Sequence, residues 1–207
     1  GGTKSGKTTL LNAILEEVSK LNDRVIMIED TPELRCTAKD YVAMHTTKHV
    51  TMDDCLRSVL RQTPDRIVVG EVRSGEALAL LDAWSTGHNG GCSTVHSNSA
   101  VDTLLRLENM TARVSVNPQQ TTIGQAVDII VYLKYVATKR IMEDIIEIKG
   151  YDQLNKKYIY MERFDSCFHP HHACDPHPNE YHENIHYTPD QINALLGLIP
   201  YKADRAE

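Results

Sequence analysis

The sequence predicts an α/β fold built on a mostly parallel sheet around a phosphate-binding loop. Three observations carry that expectation. The chain opens on "GGTKSGKT", in which Gly1, Gly6, Lys7 and Thr8 keep the P-loop spacing Gly-x4-Gly-Lys-Thr. Amphipathic helical stretches alternate with short, wholly apolar runs such as "VIMI" and "RIVVG", the signature of strands buried on both faces. Several of those runs end on Glu or His, and in open α/β sheets ligands gather at the carboxyl ends of strands.

Taken in order, the loop comes first. Glycines let backbone N–H groups turn inward around phosphate oxygens. Gly1, Gly2, Thr3, Lys4, Ser5, Gly6, Lys7, Thr8 and Thr9 are therefore the candidate ATP-binding residues. Lys7 supplies a point charge for the β- and γ-phosphates, and the Thr8 hydroxyl is the candidate Mg²⁺ ligand. Lys4 is the irregular member: if its site needs a positive φ, a non-glycine residue there costs on the order of 1 kcal/mol. A P-loop leaves the end of a central strand, so the core is expected to be N-terminally truncated, with that strand and an upstream domain lying before Gly1.

A helix is expected from Lys7 to about Leu21, with Leu10, Leu11, Ile14, Leu15, Val18 and Leu21 on one broad face. Strand Val25–Ile28 follows and runs into "EDTPELR"; the stretch "TAKDYVAMHTTKHV" reads as a polar connection. Thr51 is the expected N-cap of a helix over 52–62, with Asp53 and Asp54 suiting its dipole, and Pro64 closes it. "DRIVVGEVR" is a strand carrying Glu71 near its end. "GEALALLDAWSTG" is a helix stopped by Gly87. "GGCSTVHSNSA" gives a strand with His96 at its tip, followed by a helix over 100–109 and a shorter one in "PQQTTIGQA". Strands in "VDIIVYLKYV", "RIMEDIIEIKGY" and "KYIYMERF" complete the regular part. The expected division is a core over 1–152 and a C-terminal extension over 153–207.

Composition narrows the function classes. The 207 residues carry a net charge of −6, which argues against broad nucleic-acid binding, and no direct nucleic-acid partner is expected. The cysteines at 36, 55, 92, 167 and 174 form no CxxC pair, which fits a reducing compartment. No stretch is long and apolar enough to cross a bilayer. The extension holds six of the ten histidines, beside Cys167 and Cys174. These are competent zinc ligands in spacings that match no named pattern, and histidine/proline tracts of this kind are often disordered. "TPDQINALLGL" has the start of a short helix, with Thr188 as N-cap and Pro189 at the first turn.

The boxes "GGTKSGKTTLLNAIL", "VIMIEDTPELR", "LRQTPDRIVVGEVRSGEAL" and "STGHNGGCSTVHSNSA", in that order, resemble the Walker A, Asp, Walker B and His boxes of the type II and type IV secretion ATPases. The nearest look is to the conjugal-transfer, TrbB-like branch of the type IV traffic ATPases, over Gly1 to about Asp152. The family has glycine where this chain has Lys4. The resemblance implies a RecA-like ATPase core that assembles as a homo-oligomer, a hexameric ring, at the cytoplasmic face of the inner membrane. There it would work with secretion or conjugation apparatus proteins and power pilus assembly or substrate transfer. It assigns Glu71 to polarising the attacking water or holding the Mg²⁺ shell, Glu29 and Glu33 to metal-bound water, and His96 to sensing the γ-phosphate. Arg57, Arg61 and Arg73 are equally readable as charge-stabilising groups or as surface salt-bridge partners. Two functions stay open: an ATP-hydrolysing motor subunit, or a nucleotide-binding, hydrolysis-poor assembly or regulatory subunit.

Overall fold

A computed structural model describes residues 1–165; the histidine-rich zinc hypothesis and the expected helix after Thr188 lie outside the described residues. Helix α1 (Lys7–Val18) leads into β1 (Val25–Glu29) and β2 (Tyr41–His45). Helix α2 (Met52–Val59), extended by a 3₁₀ turn (Leu60–Gln62), precedes β3 (Arg66–Val72) and α3 (Glu76–Ser85). Then come β4 (Cys92–Val95), α4 (Ala100–Thr111), α5 (Gln120–Ala126), and strands β5 (Ile129–Val136), β6 (Lys139–Asp152) and β7 (Lys157–Asp165).

Two sheets result. The first is wholly parallel, in the order β2-β1-β3-β4; the second is antiparallel, in the order β5-β6-β7. Strand β1 explains the layering. Its five residues are all buried, with Val25 and Met27 packed against Leu11, Leu15 and Val18 of α1. Ile26 and Ile28 point the other way, into a larger cluster with α2, α3, α4 and α5. Period-2 alternation of apolar residues with no polar face is what a strand between two helical layers requires. That larger cluster also takes in Ile130, Tyr132, Ile146 and Ile148, which seats the antiparallel sheet on the same core. Leu10 joins Leu133 and Ile145 in a third cluster, so α1 touches both sheets.

The expected polar connection before residue 51 is corrected by the structure: Tyr41–His45 is a strand, paired in parallel with β1 from Val25↔Tyr41 to Glu29↔His45. It is an edge strand whose alternate residues are exposed, so only Val42 and Met44 turn toward the core and its apolar signal is half that of β1. Helix α2 has the expected start, a capping box in which Thr51 and Asp54 bond reciprocally. Helix α1 stops at Val18, and Leu21 is exposed. The β6–β7 hairpin runs through residue 152, and regular structure continues to Asp165.

Among the described residues β4 pairs only with β3, and β5 only with β6. Between those two strands lies a cavity of about 260 Å³, lined by Leu10, Ile14, Cys92, Thr94, Ile129 and Leu133 among others.

Candidate functional site

The loop closes as its sequence demands. Gly1 approaches β5 so closely that a Cβ there would lie 2.3 Å from the Leu133 carbonyl oxygen, and its nitrogen donates to the Val95 carbonyl at the end of β4 (3.1 Å). Gly2, Thr3 and Thr9 are exposed, whereas Ser5 is buried and donates from Oγ to the Gly2 carbonyl (2.8 Å). Lys4 takes φ 61°, so this non-glycine residue does occupy the left-handed region. Its carbonyl accepts from Arg140 Nε on β6 (2.8 Å). Gly6, at φ 95°, stands at the N-cap of α1 and offers no side-chain cap, and among the described residues no side-chain bond to the N–H groups of that first turn is seen. Four such groups start every helix without an internal partner, which leaves these directed at an anion site.

Lys7 Nζ folds back onto the loop, donating to the carbonyls of Gly1 (3.1 Å) and Gly2 (2.9 Å), and lies 3.4 Å from His96 Nε2. Burial pushes the Lys7 ammonium below its usual range, with Glu71 opposing that shift. His96 Nε2 in turn stands 2.8 Å from Glu71 Oε1. Burial, and next the Lys7 charge, hold the His96 imidazole below its ordinary pKa, against the pull of Glu71. The register between β3 and β4 shifts between Val69 and Val72, and Thr94 Oγ1 fills the gap by donating to the Gly70 carbonyl (2.8 Å). Such irregularities re-aim side chains next to sites, and Glu71 lies inside this one.

A second pair forms beside the first. Thr8 Oγ1 donates to Glu33 Oε2 (3.2 Å), placing a hydroxyl and a carboxylate at the start of α1. Both are hard oxygen donors, the kind Mg²⁺ takes alongside phosphate oxygens and water, so the residues present fit the implied metal. No cluster of three or more acidic, His or Cys ligands occurs among the described residues, and a phosphate-bound Mg²⁺ needs none.

Glu29 differs from its expected companions. It is only 4 % exposed, and its Oε1 accepts the backbone N–H groups of Glu33 (3.0 Å) and Leu34 (2.9 Å). It shapes the turn that presents Glu33 to Thr8. Asp30 accepts from Thr46 Oγ1 (2.8 Å) and pairs with Arg73 (2.8 Å). Of the three arginines singled out, Arg57 pairs with Asp53 along α2 (3.5 Å), Arg61 is exposed on the 3₁₀ turn, and Arg73 alone joins the strand-end cluster. Cys55 is buried, and burial pushes the Cys92 thiol up to about 12; both are packing residues. Sequence reasoning missed the Asp30–Arg73 tie. A charged pair whose members stand 43 positions apart leaves no periodic trace.

Four distant segments thus meet at one edge of the parallel sheet. The sequence pattern of the type II/IV secretion system protein family matches residues 1–174, past the Asp152 limit that the four boxes suggested. "Conjugal transfer protein TrbB" of Rhizobium radiobacter is 49% identical over 153 residues, spanning 73% of this chain and 47% of that protein. "Probable conjugal transfer protein TrbB" of Sinorhizobium fredii is 48% identical over the same length. The chain therefore spans about half the length of these relatives. Among solved structures, the VirB11 ATPase from the Brucella suis type IV secretion system, in complex with sulphate, matches with a TM-score of 0.63 at 30% identity, covering 70% of this chain and 46% of that one. The pilus retraction motor PilT with bound ADP shares the fold at 24% identity and a TM-score of 0.56, over 81% of this chain and 47% of that one.

Proposed function

We propose that this chain, which belongs to the type II/IV secretion system protein family, is the nucleotide-binding core of an ATP-hydrolysing motor subunit of a type IV secretion or conjugation system. One observation carries the reading: Lys7, His96 and Glu71, from three separate boxes, stand in consecutive contact beside the Thr8–Glu33 pair. The loop N–H groups and Lys7 would hold the phosphates, and Thr8 with Glu33 would hold the Mg²⁺ shell. When bound, the metal supplies positive charge to the phosphate oxygens. Glu71 would orient the attacking water by accepting its hydrogen bond at Oε1, and His96 would report on the γ-phosphate end. Glu29 would act one step removed, by holding Glu33.

The reading includes a homo-oligomeric, hexameric ring working with apparatus proteins at the cytoplasmic face of the inner membrane. No helix among the described residues is long and apolar enough to cross a membrane, which suits peripheral attachment. It also includes a further strand leading into Gly1 along the Cys92–Val95 edge, which among the described residues pairs with no strand but β3 and borders the 260 Å³ cavity.

A second reading, a nucleotide-binding but hydrolysis-poor assembly or regulatory subunit, draws on Lys4, strained at φ 61° in the middle of the loop. ATP turnover by the full-length protein decides. Mg²⁺-dependent hydrolysis lost in Lys7→Ala and Glu71→Gln supports the motor. Tight ATP binding with no turnover, rescued by Lys4→Gly, supports the second reading instead.

A further inference from the structure

We propose that Arg73 is the positioning residue for Glu71, anchored on Asp30, and that it works within its own subunit. This rests on the ATPase reading and deepens it. Two guanidinium nitrogens of Arg73, Nε at 3.1 Å and Nη2 at 2.7 Å, both donate to Glu71 Oε2. The remaining Nη1 donates to Asp30 Oδ2 (2.8 Å), while Asp30 Oδ1 accepts from Thr46 Oγ1 (2.8 Å). Asp30 stands one residue beyond β1, and Thr46 one residue beyond β2. The backbone of the arginine is fixed as well. Its N–H and that of Ser74 both donate to Glu76 Oε1 at the start of α3 (2.7 and 2.8 Å).

The consequence is geometric. With Oε2 taken twice from one side, Glu71 presents Oε1 toward His96 and, beyond it, Lys7. A lone ion pair to a side chain as exposed as Arg73 (61%) would hold little. A planar guanidinium that places two nitrogens on one carboxylate oxygen and a third on a second carboxylate is different, because one flat group is then tied to two strand ends at once. Lysine could supply the charge but not the fork. Arg73 donates to neither loop nor phosphate-side groups in the structure, so its removal leaves the nucleotide cradle of Lys7, Thr8 and the loop amides whole. The effect is therefore expected in the turnover step and not in affinity.

The test is steady-state ATP hydrolysis with Mg²⁺ by the full-length protein. Arg73→Ala is expected to lose about tenfold or more in kcat with KM changed by less than about twofold. Arg73→Lys should recover only part of that loss. Asp30→Ala should lose a few-fold, and Asp30→Ala combined with Arg73→Ala should be no worse than Arg73→Ala alone, because Asp30 acts through the arginine. Mixing Arg73→Ala subunits with Glu71→Gln subunits should restore nothing. An unchanged kcat in Arg73→Ala, a rise in KM alone, full recovery by lysine, additive losses or rescue on mixing would each overturn the proposal. Lys7→Ala keeps the two readings apart. If it hydrolyses ATP normally, the ATPase reading fails; if it is dead while Arg73→Ala is normal, only the role of Arg73 falls.

Discussion

Glu29 and Glu71 stand at the ends of neighbouring parallel strands, yet they are held in opposite ways. Glu29 is buried and accepts from two backbone amides; Glu71 is half-buried and held at Oε2 by the Arg73 side chain, with Oε1 left facing His96. Gly70, in β3 beside Glu29, makes the difference possible: a Cβ at that position would press to 3.2 Å from Glu29 Cγ. Backbone donors move only if the turn unfolds, whereas side-chain donors can exchange one acceptor for another. A carboxylate of the first kind belongs to the architecture. One of the second kind is free to take part in chemistry.

The sharpest way to break the contrast is Glu71→Gln. Turnover should fall by about a hundredfold or more, as when a group aligned on the reacting atoms is lost, while the thermal midpoint stays close to that of the parent. Next comes Glu29→Gln, which should cost about 1–3 kcal/mol of stability, read from the denaturant midpoint, because a buried acceptor of two part-buried backbone N–H groups is weakened. If Glu29→Gln instead abolished turnover at full stability, the distinction between the two carboxylates would be wrong. Smaller still, Lys4→Gly should stabilise the chain by up to about 1 kcal/mol by relieving the left-handed strain, seen in the same denaturation experiment.

The smallest effect is electrostatic. His96 titrates below its ordinary value of 6.5 in the folded chain, so the unfolded state binds the proton more readily. Its contribution to stability is full above pH 6.5 and fades as the pH falls through the window below. The imidazole is 45 % exposed, so the slope is slight. Its NMR titration is the better measurement. The midpoint should rise in Lys7→Ala, which removes a repelling charge, and fall further in Glu71→Gln, which removes an attracting one.

Much of this was legible in the sequence, because buried helices and strands announce themselves by period. The start and buried face of α1 (though not its expected end at Leu21), the apolar run of β1 and the Thr51 cap appear where the residues indicate. Strand β2 was not legible: an edge strand turns only Val42 and Met44 inward, and a run of polar residues surrounds them. The loop and the strand-end carboxylates could be placed at one edge from their spacing. What each carboxylate does there could not. Whether Glu29 meets amides or side chains depends on how the 30–34 turn folds back, and that is fixed by Thr8, Asn12 and Gly70, which no local window contains together.

The single bond from Arg140 to the Lys4 carbonyl has a mechanical meaning. Arg140 sits next to the tight bend joining β5 to β6, on the sheet that contributes no side chain to the strand-end cluster. A displacement of that bend tugs the apex of the loop, and a change of loop shape is felt at the bend. The two sheets, already joined through the shared core and through Leu10, thereby gain a polar link that runs from the bend to the phosphate loop itself.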